Sequence, residues 1–148
     1  MDTSKTQFSK GRDGWKGEDT IDMGTQVTDY AGRVQNRVLH ITTHKSYRGG
    51  LVSAASCMLE GNGFTTFAIG GDYSKTVAKL DNRCTENSVR QLHAAVMEQQ
   101  ADALLAEARA FYEAKDAAKA LHAKRDADMK AADEARTQAD LAEARVPA

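Results

Sequence analysis

The distribution of apolar positions divides the chain into three stretches. Over positions 1–25 apolar residues are few, and Gly11, Gly14, Gly17 and Gly24 interrupt a polar background. Such a segment buries too little apolar surface to offset its ordering entropy, so it reads as a flexible N-terminal tail. Trp15 stands out within it. It fits either a tail residue that docks locally or an anchor onto a partner. From position 34 to 80 the pattern is that of strands. Val38, Leu39, Ile41, Thr42 and Thr43 concentrate β-branched and large apolar residues in one run. Positions 51–60 form a second run of small apolar residues, 64–69 a third, and 74–80 a weaker fourth, while 26–30 could add an edge strand. The Asn62-Gly63 pair is a strong hairpin signal, because both residues tolerate positive φ. Gly49-Gly50 and Gly70-Gly71 mark the remaining turns.

A helix follows. Thr85 is placed to cap it, with Glu86 in its first turn. Between Val89 and Ala144 there is neither Pro nor Gly. Val89, Leu92, Val96, Leu104, Ala108 and Phe111 recur at helical spacing. Beyond Glu113 the large apolar residues stop and Ala alternates with charge, which leaves open both an unbroken helix and one with a kink or short turn near 113–120. Leu121, Met129 and Leu141 are too sparse for a strong coiled-coil seam. The expected fold is therefore α+β: a small antiparallel meander of four to five strands followed by a long Ala-rich C-terminal helix. The corresponding segments are a tail (1–25), the meander with the apolar part of the helix (26–112) and a charged helical tail (113–148). The apolar stripe 89–112 is longer than a four-stranded sheet is wide. A second subunit is expected to cover its surplus around Leu104, Leu105, Phe111 and Tyr112, giving a homo-oligomer.

Composition narrows the functional classes. The 148 residues carry a formal net charge of −1, which offers no strong field for a nucleic-acid duplex or an anionic membrane. The balance is uneven. Residues 1–84 hold 11 Lys/Arg against 9 Asp/Glu, and the remainder hold 9 against 12. The first part is the better place to meet an anion. Two cysteines, Cys57 and Cys84, match no metal or haem spacing. With no apolar N-terminal run and no apolar stretch of membrane-spanning length, a cytoplasmic protein without a membrane segment is expected. Nothing calls for a cofactor.

Candidate chemistry is thin. His40 and His44 share a strand face but lie about 13 Å apart at about 3.3 Å per residue, too far to chelate one ion. Cys57 reads as core, and Cys84 precedes a helix start where a thiolate would be favoured. Gly70 to Thr76 departs from a phosphate-binding loop, since no Gly precedes Lys75 and a strand follows. More is offered by Lys45, Tyr47 and Arg48, which join cation, aromatic ring and glycine-flanked backbone in one turn. Tyr73, Lys75, Arg83, Asn87 and Arg90 form a second polar set. Together they suggest a pocket for a small anionic or nucleotide ligand, because guanidinium groups bind phosphate bidentately and Tyr can stack. No enzymatic motif emerges.

The arrangement, and the style of residues 63–97 (GFTTFAIGGDYSKTVAKLDNRCTENSVRQLHAAVM), resembles the anti-Thoeris sponge proteins of phages. The resemblance implies an oligomeric counter-defence protein in the host cytosol that sequesters a cyclic nucleotide signal without degrading it. It carries over no individual site residue. The alternative is a protein–protein inhibitor or adaptor of anti-CRISPR type, acting on a host protein through its sheet or helix face.

Overall fold

The computed structural model describes residues 6–28, 31–61, 64–66 and 72–144. Among them six strands and one helix succeed one another: β1 (Gln7–Gly11), β2 (Gly14–Thr28), β3 (Val34–Lys45), β4 (Leu51–Gly61), β5 (Phe64–Thr66), β6 (Ser74–Leu80) and α1 (Glu86–Ala144). Every pairing is antiparallel, in the order β1-β2-β3-β4-β5. β6 also pairs with β4. Since β5 takes Leu59 to Gly61 and β6 takes Leu51 to Ser56, the two short strands share one edge of β4 end to end. The sheet is thus five strands wide, and the α+β layout is as expected.

Side-chain alternation divides the sheet into two faces. On β2 and β3 the odd positions, Gly17, Asp19, Met23, Leu39, Ile41 and Thr43, are buried. Leu51, Ser53, Ala55 and Cys57 continue this layer on β4. The first part of α1 lies over it and contributes Val89, Leu92, His93, Val96, Met97, Ala101, Leu104 and Ala108. Arg109 Nε donates to the Met23 carbonyl at 3.2 Å, and Lys75 Nζ meets the Glu107 carboxylate at 3.1 Å, fixing the helix at both sides of the sheet. Thr85 caps α1 as expected, accepting from the Ser88 amide at 3.1 Å. Between β3 and β4, Gly49 and Gly50 have φ of +95° and +77°. A side chain on Gly50 would also run into the Leu80 carbonyl.

One expectation is corrected. The supposed N-terminal tail is β1 and most of β2, apart from positions outside the described residues. Its few apolar residues suffice because Trp15, Gly17, Asp19, Ile21 and Met23 fall at period two, and the helix supplies the rest of the layer. α1 is helical throughout 113–120, with no intervening turn. Of the four residues expected at a subunit contact, Leu104 and Tyr112 are buried, Leu105 is half-buried and Phe111 is 38% exposed. The Asn62-Gly63 and Gly70-Gly71 turns, the end of the 64–69 run and Tyr30 lie outside the described residues.

The chain forms two compact units, residues 1–109 and 110–148. In the second, every residue of 113–144 is exposed. Its helicity is therefore supported by propensity and local charge pairs rather than by burial. Deleting residues 1–20 removes β1 and the start of β2, and should abolish cooperative unfolding in urea. Ending the chain at Glu113 should leave a cooperative transition. A folded 1–20 deletion would refute the assignment of these strands to the core.

Candidate functional site

Two polar constellations lie on opposite faces of the sheet. The first is inside. His93 Nε2 donates to Asp19 Oδ2 at 2.6 Å, and its Nδ1 shares a hydrogen bond with Thr43 Oγ1 at 2.7 Å. Thr43 Oγ1 donates to Ser53 Oγ at 3.2 Å, and Ser53 donates to the Thr42 carbonyl at 3.1 Å. Thr6 Oγ1 donates to Asp19 at 2.9 Å. An acid–imidazole–hydroxyl chain is the arrangement that activates a nucleophile. Here Thr43, Ser53 and His93 are 0% exposed, so no substrate can reach the hydroxyl. The chain satisfies buried polar groups and ties β2, β3, β4 and α1 together.

The second constellation is open to solvent. On the face away from α1, the even positions of β2 and β3 present Lys16, Glu18, His40, Thr42 and His44. The β1–β2 turn borders them. A groove of about 580 Å³ results, lined by residues that include Arg12, Trp15, Lys16, His40, Thr42, His44, Lys45 and Ser56. Glu18 bridges two of the bases, pairing with Lys16 and lying 3.3 Å from His40 Nε2. Burial pushes the Glu18 carboxyl up, but the hydrogen bonds and charges of Lys16 and His40 outweigh it and leave its pKa lowered. His44 is lowered by burial and then by the Lys16 ammonium. The groove thus gathers three permanent cations, two imidazoles and three hydroxyls, against the carboxylates of Asp13 and Glu18. It can accept an anion. Among the described residues no group of His, Cys, Asp and Glu is placed to hold a metal ion.

Of the residues that the sequence assigns to a ligand pocket, the groove contains Lys45 alone. Tyr47 and Arg48 stand exposed on the β3–β4 turn. Tyr73 is buried on the helix-covered face, and Lys75 is ion-paired with Glu107. Arg83 and Asn87 are exposed at the approach to α1 and in its first turn. Arg90 is bonded to Glu86 at 3.0 Å and lies over the Phe8 ring at 4.2 Å. These residues do not converge. Arg12 and Lys16 escaped the sequence reading because their segment reads as a tail. The signal that could have found them is the period-two run from Trp15 to Met23.

Comparison with known protein families, characterised proteins and solved structures finds no match to this chain. Function must therefore be argued from its own geometry. No helix among the described residues is long and apolar enough to cross a membrane.

Two outcomes test the inner face. Replacing His93 with Ala strands the Asp19 carboxylate in the core and should cost roughly 3 kcal/mol in urea unfolding. A loss below about 1 kcal/mol would show the network to be dispensable. Tyr73 gives a pH signature. Burial, then the Glu107 carboxylate, pushes its pKa up to about 12 from the ordinary 10.0. A folded pKa above the unfolded one means stability present below pH 10.0 and lost as pH rises towards about 12. Tyr73→Phe should flatten this alkaline loss, followed by circular dichroism.

Proposed function

We propose that this protein is a non-enzymatic binding protein that captures a small phosphorylated anion in the groove away from α1. The observation that carries the proposal is the convergence of Arg12, Lys16 and Lys45 with the hydroxyls of Thr42 and Ser56 in one groove. Ammonium and guanidinium groups supply charge, and hydroxyls supply direction. Sequestration of a cyclic nucleotide, as the phage resemblance implies, is one form of this activity. The groove offers no activated nucleophile, since the only acid–imidazole–hydroxyl chain among the described residues is sealed beneath the sheet.

A second reading rests on a different observation. The helix over 113–144 is entirely exposed and studded with both charge signs, which suits a protein partner. Calorimetry with cyclic and linear nucleotides separates the two. Lys16→Ala and Lys45→Ala should each weaken binding roughly ten- to a hundredfold, from about 1.5–3 kcal/mol per charged hydrogen bond. Arg48→Ala should change little, because Arg48 lies outside the groove. If no nucleotide binds at concentrations of about 1 mM, anion capture is refuted and the protein-partner reading takes its place.

A further inference from the structure

The two histidines of the groove keep different electrostatic company. His40 has an acid partner, with its Nε2 3.3 Å from the Glu18 carboxylate. His44 has none. Its Nδ1 is buried and finds no hydrogen-bond partner among the described residues. The charge it meets from β2 is the Lys16 ammonium. On its own strand it is followed by Lys45, and the β1–β2 turn adds Arg12 and Asp13 to the groove. Glu18 is engaged by Lys16 and His40. Across β4 its register partner is the uncharged Val52. His44 thus has an unsatisfied buried nitrogen and the Lys16 ammonium as a charged neighbour, which disfavours a further positive charge.

An anion entering the groove reverses that balance. It screens His44 from Lys16 and stabilises an imidazolium beside it. We infer that His44 is a proton-linked anion-binding residue, taking up a proton as an anion settles between it and Lys16, so that capture tightens as pH falls through the ordinary histidine range. This inference rests on the anion-capture reading and adds a residue and a regulation to it. The sign follows from linkage. The free protein holds His44 neutral below its ordinary titration range, whereas the complex holds it protonated to higher pH, so the complex binds more protons in the interval between. Within that interval affinity rises by up to about tenfold for each unit of pH decrease.

The test uses the full chain with sulfate, an anion that does not itself titrate near neutrality. Calorimetry in two buffers of different ionisation enthalpy counts the protons taken up, and a histidine-resolved magnetic resonance titration identifies the site. The expected result is uptake approaching one proton per sulfate, with the His44 titration moved to higher pH by the anion. His44→Gln should remove the uptake and the pH dependence while Lys16 and Lys45 retain residual binding. His40→Gln should keep most of both. Sulfate binding with equal affinity across the range and no proton uptake by the wild type would overturn the role of His44 and leave anion capture standing. Uptake that persists in His44→Gln would do the same. Absence of any sulfate or nucleotide binding would overturn both. Because proton uptake and the His44 titration are read on the wild type, the inference is decided even if His44→Gln fails to fold.

Discussion

The requirement to satisfy one buried imidazole organises this structure. His93 reaches the sheet from α1 with both ring nitrogens beyond the reach of water, so each must find a partner in the protein. Asp19 on β2 supplies one and Thr43 on β3 the other, with Ser53 on β4 joining through Thr43. A one-residue slip of any of these strands would carry its polar group to the opposite face. The network therefore specifies the register of three strands and the seating of the helix at once. It also explains Gly17. A Cβ there would lie 2.9 Å from the Phe8 ring and 3.0 Å from His93 Cγ, so the position beside the imidazole must be bare. Phe8 meets the imidazole edge-on at 5.8 Å. A segment poor in large apolar residues can thus be a core strand, because what it provides is a carboxylate and a close approach.

The same constraint builds the groove. Successive residues on a strand point to opposite faces, so each inner residue of the network has groove residues as sequence neighbours. Lys16 precedes Gly17, and Thr42 and His44 flank Thr43. Fixing Thr43 and Gly17 from below fixes the spacing of Lys16, Thr42 and His44 above. The groove floor is carried on paired strands rather than on loops, which limits the rearrangement needed when a ligand arrives. The β3–β4 turn, by contrast, displays Tyr47 and Arg48 where neither packing nor pairing restrains their side chains.

Much of the fold was legible in the chain, and the reason varies by element. β3 and β4 announce themselves by β-branched and small apolar runs, and α1 by its spacing and by Thr85, because these signals are local. β1 and β2 were not legible from apolar content, since Asp19 counts as polar until His93, far along the chain, is seen to meet it. The site suffered from the same blindness. Candidate cations chosen by their proximity in loops prove to serve other ends: Lys75 neutralises Glu107, and Arg90 bridges Glu86 and Phe8. The cations that do converge are set by strand pairing between distant segments, which spacing within a single segment cannot reveal.

The second unit follows a different physical logic. No residue of 113–144 is buried, so tertiary packing contributes nothing to its helicity among the described residues. An isolated helix in water persists only where propensity is high and the segment is long enough to offset the cost of nucleation. Alanine in quantity, the absence of Gly and Pro, and pairs such as His122 with Asp126 at 3.5 Å meet that demand. Each such pair contributes only tenths of a kcal/mol and weakens with salt. The segment's order is thus a sum of many small local terms, whereas that of the sheet unit hangs on a few buried ones. A substitution such as Ala131→Gly would cost about 1 kcal/mol of local helicity and disturb no distant contact, while a comparable change at Gly17 or His93 acts on three strands together.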